Sequence, residues 1–188
     1  LCICLCMART YSIQKMNIGD RAIDFNLLGI DGKYYSLKDF KADALLIIFM
    51  ANHCPYVRAR MDDINMLYSR FHPRLDIVGI NSNDPDYEGE GYENMKRFAK
   101  EFNVKFPYLF DETQEVARAY GAVCTPDPFL FDRERRLVYH GRINDAMNPD
   151  AKPTVQIMAE NVERVLRGER IEKPFDPSVG CSIKWRTH

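Results

Sequence analysis

The sequence predicts an α/β fold in which a mixed central sheet carries helices on both faces. Three observations support this prediction. The residues at 44–50 are all apolar, as in a strand buried on both sides. Apolar runs alternate with segments of helical periodicity over residues 44–121. Two extended runs, 129–131 and 136–143, flank a charged turn and so predict an antiparallel hairpin near the end of the chain.

The composition is that of one ordinary folded domain. The chain has 188 residues, of which 46% are hydrophobic and 28% charged, which excludes a disordered or collagen-like protein. Lys and Arg number 26 against 27 Asp and Glu, so there is no net field to attract a nucleic acid or an anionic membrane. No apolar run reaches the ~20 residues of a membrane-spanning helix. We therefore expect no nucleic-acid or membrane partner.

The strands of the first half are marked by turns and by apolar runs. Residues 18–40 read as short strands, with Asp31-Gly32 as a hairpin turn that forms an N-terminal extension. The run at 44–50 is the predicted central strand. A second buried strand is expected at 76–80 and a short one at 106–110.

Four helices are expected from apolar residues at steps of three and four. The first follows Cys54 and extends to Phe71, and the second covers residues 92–102. Asp111 and Gln114 form a capping-box-like start for the third, which Gly121 ends. The fourth has Pro153 near its start and Gly168 at its end.

This order of elements is that of a thioredoxin-like architecture. We expect residues 1–10 to be a disordered or non-native tail, since Met7 begins an ordinary polar sequence behind a short cysteine-rich stretch. The thioredoxin-like domain is expected at 11–172. Residues 173–188 are expected to be an irregular tail of the same domain.

The cysteines favour a reducing compartment. Three of the six, at positions 2, 4 and 6, lie in the doubtful tail, and Cys54, Cys124 and Cys181 are far apart in the sequence. There is no C-x2-C pair and no His at zinc-ligand spacing, so no metal site is expected. No cofactor is expected either, because a reactive cysteine would itself carry out the chemistry. Isolated thiols indicate a cytoplasmic protein.

Cys54 is the candidate reactive residue. It lies between the end of the predicted central strand and Pro55, which suits the first position of a helix. A thiolate there would face free backbone N–H groups and the positive end of the helix dipole, and Arg58 one turn later could add positive charge. An arbitrary free cysteine is more often a small apolar core residue, but this context favours a nucleophile.

Several segments together resemble the peroxiredoxin-like branch of the thioredoxin superfamily, the alkyl hydroperoxide reductase and thiol-specific antioxidant (AhpC/TSA) type. The ending Gly-Cys-Ser-Ile-Lys-Trp is similar to that of one uncharacterised subgroup of this branch. The resemblance spans about residues 11–186, and the segments that carry it are 19–25, the Asn-His-Cys-Pro-Tyr-Val motif at 52–57, 111–117, 125–127, 129–141 and 180–185.

The resemblance implies a thioredoxin fold with Cys54 at the redox position and Pro126 as the family's cis-proline facing it. It also implies that the backbone of Thr125, just before the proline, docks extended substrates. Taken alone, Thr125-Pro126 would read as an ordinary turn. The expected substrate-binding residues are Asn52, His53, Pro55, Arg58, Thr125 and Pro126.

The sequence departs from both parent activities of this superfamily. A thioredoxin-type enzyme would have a second cysteine three residues before Cys54, where this chain has Ala51. A peroxiredoxin would have Thr or Ser at that position to bind peroxide and Pro where this chain has Ile47. Loss of such a hydrogen bond costs about 1–3 kcal/mol, so we expect weak peroxidase activity.

Two cysteines could partner Cys54. Cys124 lies two residues before the presumed cis-proline and is expected near Cys54 as the second catalytic cysteine. Cys181, on the C-terminal tail, is the other candidate and would act as a resolving thiol. For both, a merely structural role is an open alternative.

The sequence thus predicts a thiol-dependent oxidoreductase of antioxidant type, in which Cys54 performs thiol-disulfide exchange or weak peroxide reduction. Its expected partners are thiol or disulfide proteins or peroxides, and a homodimer stays open. The alternative is a redox-silent thioredoxin-fold binding module that presents Thr125-Pro126 and the edge at residues 81–84 to a protein partner, which Ala51 favours. A metal chaperone using Cys54 and His53 is a third and weaker hypothesis.

Overall fold

The computed structural model describes residues 9–187, along which the strands and helices alternate much as the sequence predicts. The strands are β1 Arg9–Tyr11, β2 Leu27–Gly29, β3 Tyr34–Tyr35, β4 Ala44–Met50, β5 Leu75–Asn81, β6 Tyr108–Phe110, β7 Cys124–Thr125, β8 Asp127–Phe131, β9 Leu137–Gly141, β10 Phe175–Asp176 and β11 Val179–Ser182. The helices are α1 Pro55–Arg58, α2 Met61–Phe71, α3 Tyr92–Glu101, α4 Glu115–Tyr120 and α5 Ile157–Leu166. In this part of the chain, no helix has the length and apolar character needed to cross a membrane.

The predicted mixed sheet is confirmed. Its strand order is β10-β9-β8-β4-β5-β6-β2-β3. β4 pairs in parallel with β5 along its whole length, and β5 pairs in parallel with β6. On the other side of β4, β8 and β9 form the predicted antiparallel hairpin. The carboxyl end of β4 therefore lies near the middle of the sheet, and the candidate nucleophile follows it.

Side chains of β4 alternate between two cores, which places helices on both faces of the sheet. Leu46 and Ile48 belong to the core that α2, α3 and α5 cover. Ile47 and Phe49 belong to the other core, in which Phe49 packs against Tyr120 of α4 with ring centroids 5.6 Å apart. All seven residues of β4 are buried. Burial of each large apolar side chain contributes about 1.5–3 kcal/mol, so β4 is firmly held on both sides.

The predicted N-terminal hairpin is confirmed as β2 and β3, which pair antiparallel around Asp31-Gly32. Gly32 has φ +82°, a left-handed conformation that glycine adopts without strain. The Asp31 carboxylate accepts hydrogen bonds from the Lys33 backbone N–H and the Tyr35 hydroxyl at 3.1 and 2.5 Å. Local residues thus determine this turn, which is why the sequence predicts it.

The prediction of a single helix from Cys54 to Phe71 is wrong, because this segment forms two helices, α1 and α2. The break falls at residues 59–60, where Arg60 has φ −99° and ψ 0°. The Arg60 side chain is buried and donates hydrogen bonds to the Asn144 side chain and the Ala151 carbonyl at 3.3 and 3.1 Å. The helical spacing of apolar residues continues through the break. The sequence pattern therefore does not predict that the helix ends here.

The last two helices begin later than predicted. α4 begins at Glu115, because the Asp111 carboxylate accepts the backbone N–H of Ala117 at 3.0 Å from outside the helix. Its predicted end at Gly121 is confirmed, with φ +75°. α5 begins at Ile157, since the Asp145 carboxylate accepts the N–H groups of residues 154 and 155 and keeps them in a loop.

Both predicted tails are partly built into sheets. Arg9 and Thr10, expected in a disordered tail, lie in β1, while the cysteines at 2, 4 and 6 lie outside the described residues. The C-terminal segment is not irregular: β10 pairs with β9, and β11 lies between β1 and β7 in a second sheet. These strands have two to four residues and partners far away in the sequence, so local periodicity does not reveal them.

Candidate active site

Cys54 lies where the sequence predicts, just after β4 and immediately before the first turn of α1. It is the N-cap residue of that helix, and its carbonyl accepts the N–H groups of Val57 and Arg58 at 3.1 and 3.0 Å. Pro55 takes the first helical position, where a missing N–H costs nothing. The Cys54 side chain is fully buried.

The thiol in contact with Cys54 belongs to Cys181. The two Sγ atoms are 2.7 Å apart, and Cys54 Sγ is 3.4 Å from the Thr125 carbonyl oxygen. Cys181 is on β11 and pairs with Thr125 across the second sheet, so both residues face the same side as Cys54. The two cysteines are unbonded, because their separation exceeds the ~2.05 Å of a disulfide. Only a small movement separates this contact from a bond.

The pKa values of the two cysteines are shifted in opposite directions. Burial raises the pKa of Cys54, but the hydrogen bond from the Cys181 thiol, together with the N–H of Val57, outweighs it and lowers the pKa to about 6. The pKa of Cys181 is raised, first because its proton is held in the hydrogen bond to Cys54 and second because it is buried. Cys54 is therefore the thiolate at neutral pH, and Cys181 is its donor.

Cys124, the predicted second catalytic cysteine, is not the partner of Cys54. It precedes Thr125 on β7, and successive side chains of a strand point to opposite faces. Because Thr125 faces Cys54, Cys124 faces away. Burial, followed by the negative charges of Asp127 and Cys54, raises the Cys124 pKa well above its usual range. Its position near the proline in the sequence therefore does not bring Cys124 into contact with Cys54.

The loop before Pro126 has the expected form, since the Thr125-Pro126 peptide bond is cis. The predicted docking edge of Thr125 is already occupied, however, because β11 pairs with β7 there. The approach is close: a Cβ on Gly180 would lie 1.8 Å from the Thr125 carbonyl oxygen. Gly180, next to Cys181, was the available sign that this segment packs tightly against another backbone.

Asn52 and His53 are held by a carboxylate that the sequence reading missed. Glu90 lies between two glycines, a sequence typical of a solvated loop, yet it is 3% exposed. Its carboxylate accepts the backbone N–H groups of Asn52 and His53 at 3.0 and 3.1 Å, and it also contacts the His53 ring. The Asn81 side chain donates to it at 2.8 Å. Although burial raises the Glu90 pKa, these hydrogen bonds prevail and lower it. Glu90 therefore fixes the segment that precedes Cys54.

Arg58 does not supply the positive charge expected beside Cys54. Its guanidinium donates to the Asn52 carbonyl at 2.8 Å, pairs with Glu101 and lies over the Phe102 ring at 4.7 Å. The contacts with Glu101 and Phe102 hold the guanidinium at the C-terminal end of α3. The four-residue spacing between Cys54 and Arg58 therefore did not predict where the long Arg58 side chain would make its contacts.

Comparison with known proteins identifies relatives of this chain. Residues 18–140 match the model of the AhpC/TSA family. The thiol-disulfide oxidoreductase ResA of Bacillus thuringiensis subsp. konkukian is 28% identical over 126 residues, which is 66% of this chain and 69% of that protein. ResA of Geobacillus thermodenitrificans is 26% identical over 64% of this chain and 66% of its own length. These names denote the thiol-dependent class of oxidoreductase that the sequence predicts.

Two solved structures share nearly the whole fold. An uncharacterized conserved protein from Geobacillus kaustophilus is 39% identical, with a TM-score of 0.88, and the match covers 97% of this chain and 98% of that one. A hypothetical protein from Sinorhizobium meliloti is 38% identical, also with a TM-score of 0.88, and covers 93% of this chain and 98% of its own. With the family match, they confirm the predicted resemblance and its thioredoxin-like fold.

Proposed function

This chain belongs to the AhpC/TSA family, and we propose that it is a thiol-disulfide oxidoreductase in which Cys54 attacks and Cys181 resolves. The single observation that carries the proposal is the 2.7 Å contact between the two Sγ atoms. At the level of class, a thiol-dependent oxidoreductase acting on thiol or disulfide proteins, the prediction is confirmed by the family and by the named relatives.

The reaction follows from the protonation of the pair. The Cys54 thiolate attacks one sulfur of a substrate disulfide, whose S–S bond breaks as the other sulfur leaves and takes a proton. Cys181 then gives up its proton and attacks Cys54 Sγ, which releases the second substrate thiol and forms the Cys54–Cys181 disulfide. Two protein thiols are oxidised and one substrate disulfide is reduced to two thiols. A dithiol reductant reverses the cycle by the same steps.

Ala51 stands where a C-x-x-C motif would have its other cysteine. Cys181, from a distant part of the chain, takes the place of that cysteine. In this arrangement the resolving thiol comes from β11, through its pairing with β7. A redox-silent binding module, the alternative from sequence, does not need a lowered pKa at Cys54 or a thiol aligned with it. The geometry therefore favours redox chemistry.

Peroxide reduction is a lesser activity of the same pair. The Cys54 thiolate would attack a hydroperoxide oxygen, breaking the O–O bond to give an alcohol and a sulfenic acid, and Cys181 would condense with that acid to give the disulfide and water. Ala51 is buried and offers no hydroxyl to bind the peroxide, so we expect the slow rate that the sequence indicates.

A non-reducing peptide map after mild oxidation tests the proposal. We expect a disulfide between Cys54 and Cys181 as the main product in the wild-type chain, and catalysis of disulfide exchange that Cys54→Ser abolishes. Cys181→Ser should accumulate a mixed disulfide with the substrate, because nothing resolves it. An oxidised product that lacks this disulfide, or that joins Cys54 to Cys124, would overturn the proposal.

A further inference from the structure

β11 covers the reactive sulfur. It lies between β1 and β7, with Cys181 opposite Thr125 on one side and Arg9 on the other. Cys54 is 0% exposed and Cys181 is 1% exposed. In this arrangement no external disulfide can reach either sulfur, so an intermolecular step requires a segment that covers them to move.

β11 and β7 pack backbone to backbone, with no space for a side chain at Gly180. Gly180 leaves room for the Thr125 carbonyl, which any Cβ at that position would meet at 1.8 Å. Close by, the Ser178 hydroxyl donates to the Pro126 carbonyl at 2.7 Å. The Ile183 N–H donates to the Val123 carbonyl at 2.9 Å and continues the pairing beyond β11.

We propose that β11 is a releasable cover over Cys54. It occupies the edge of β7 at which a substrate strand would otherwise pair. This inference rests on the proposed oxidoreductase function, because it concerns access to the same thiol. With β11 released, the free edge of β7 takes an extended polypeptide by strand addition, in which main-chain hydrogen bonds supply affinity. With β11 in place, the edge and the sulfur are both closed.

β11 also indicates the substrate sequence that the edge accepts. In β11 the residue before the cysteine must be glycine, since it faces the Thr125 carbonyl. A substrate chain that adopts the same register with its cysteine at Cys54 meets the same restriction. We therefore infer a preference for a disulfide-bonded cysteine preceded by glycine.

Labelling of Cys54 measures the cover directly, in a Cys181→Ser background where Cys54 has no internal disulfide partner. Iodoacetamide modification of Cys54 is followed by peptide mass spectrometry. Gly180→Ala forces a methyl group against the Thr125 carbonyl and should loosen β11, so we expect at least ten-fold faster labelling than in the parent. Ile13→Ala, at an exposed position just after β1, should label like the parent.

A covalent clamp provides the opposite variant and does not depend on the folding of Gly180→Ala. Because Ile183 and Val123 form a hydrogen-bonded position, the pair Ser182 and Cys124 is a non-hydrogen-bonded one, where opposed Cα atoms are close enough for a disulfide. Ser182→Cys in the same background, oxidised with diamide, should slow Cys54 labelling at least ten-fold. The added Cys124→Ser change removes the clamp and should restore the parent rate.

Peptide turnover by the wild-type chain completes the test. A disulfide-bonded peptide with Gly before its cysteine should be reduced at least ten-fold faster than one with Val there. Clamped and unclamped forms that label at the same rate would overturn the cover, even if the wild type turns over disulfides. Equal turnover of the two peptides would overturn the glycine preference. A clamp effect without any turnover would instead leave the cover standing and refute the proposed function.

Discussion

Cys54 and Cys181 are separated by 127 residues, yet their Sγ atoms lie 2.7 Å apart. Two separate parts of the fold bring these atoms together. β4 and α1 place Cys54 at a helix start, while the pairing of β11 with β7 brings Cys181 to the same point. The proposed redox pair thus joins two distant parts of the fold, and substitutions in either part can test it.

Titration of Cys54 should give a pKa of about 6 in the wild-type chain. Since the thiol is protonated below its pKa, exchange should slow as pH falls through that value. Cys181→Ala removes a hydrogen bond to a charged group, about 1.5–3 kcal/mol, and should raise the midpoint by about one to two units. Ultraviolet absorbance of the thiolate reports the titration, and Cys54→Ser should remove the transition. A wild-type midpoint near ~8.5, the reference value of a free thiol, would contradict the prediction.

Cys124→Ser should leave disulfide exchange within about three-fold of wild type, since Cys124 faces away from Cys54. The relevant measurement is kcat/KM with a small disulfide substrate, because a three-fold change is only about 0.65 kcal/mol of transition-state stabilisation. Cys54→Ser serves as the inactive reference. A loss of ten-fold or more in a folded Cys124→Ser protein would restore the catalytic role that the sequence suggested.

Glu90→Gln should lower the free energy of unfolding by about 1–3 kcal/mol at neutral pH, because buried N–H groups of the segment before Cys54 lose a charged acceptor. Urea denaturation measures the change. The pKa of Glu90 is lowered in the folded state. Its stabilising effect is therefore fully present above the unfolded pKa of ~4.3 and is lost as pH falls through the folded value.

A matched control for Glu90 lies two residues away. Glu88 is exposed, and Glu88→Gln should change stability by no more than about 0.5 kcal/mol at any pH. If the two variants were equally stable, Glu90 would not support the active-site segment. A difference between wild type and Glu90→Gln that grew in acid would also contradict the assignment.

Arg58→Gln separates the sequence expectation from the observed geometry. A guanidinium beside the thiolate would lower the Cys54 pKa, so its loss would raise the midpoint. The observed Arg58 instead pairs with Glu101 and lies over Phe102. We expect an unchanged thiolate titration and a stability loss of about 0.5–1 kcal/mol, as for a half-exposed ion pair or cation–π contact. Arg97→Gln, on the exposed side of α3, is the control for removal of a positive charge.

The sequence predicts the central architecture well because local patterns determine it. The apolar run of β4, the Asp31-Gly32 turn and the Gly121 helix end each depend on neighbouring residues, and all three are observed. The break between α1 and α2 is different. It depends on Arg60 reaching a loop about 90 residues away, as the bond to Ala151 shows, so the local apolar spacing passes through it unchanged.

The same division applies to the site. Cys54 could be recognised from the sequence, since a strand end, a proline and a helix start are adjacent in the chain. Its partner could not, because closeness in space came from strand pairing and the choice between Cys124 and Cys181 depended on which face of β7 each one meets. The role of Glu90 could not be predicted either. A glutamate between two glycines is expected to be exposed, and only the structure shows that it accepts the N–H groups of Asn52 and His53.

By itself, the sequence determined a thioredoxin-like α/β domain and the position of one candidate nucleophile, because short-range periodicity and turn residues encode strands, helices and their ends. The tertiary structure alone decided which thiol faces Cys54, which carboxylate holds the loop before it, and that β11 closes the site. Those outcomes depend on contacts between residues far apart in the sequence, such as Cys54 and Cys181, which are 127 positions apart. The register and face of each strand set such contacts, and no local pattern records them.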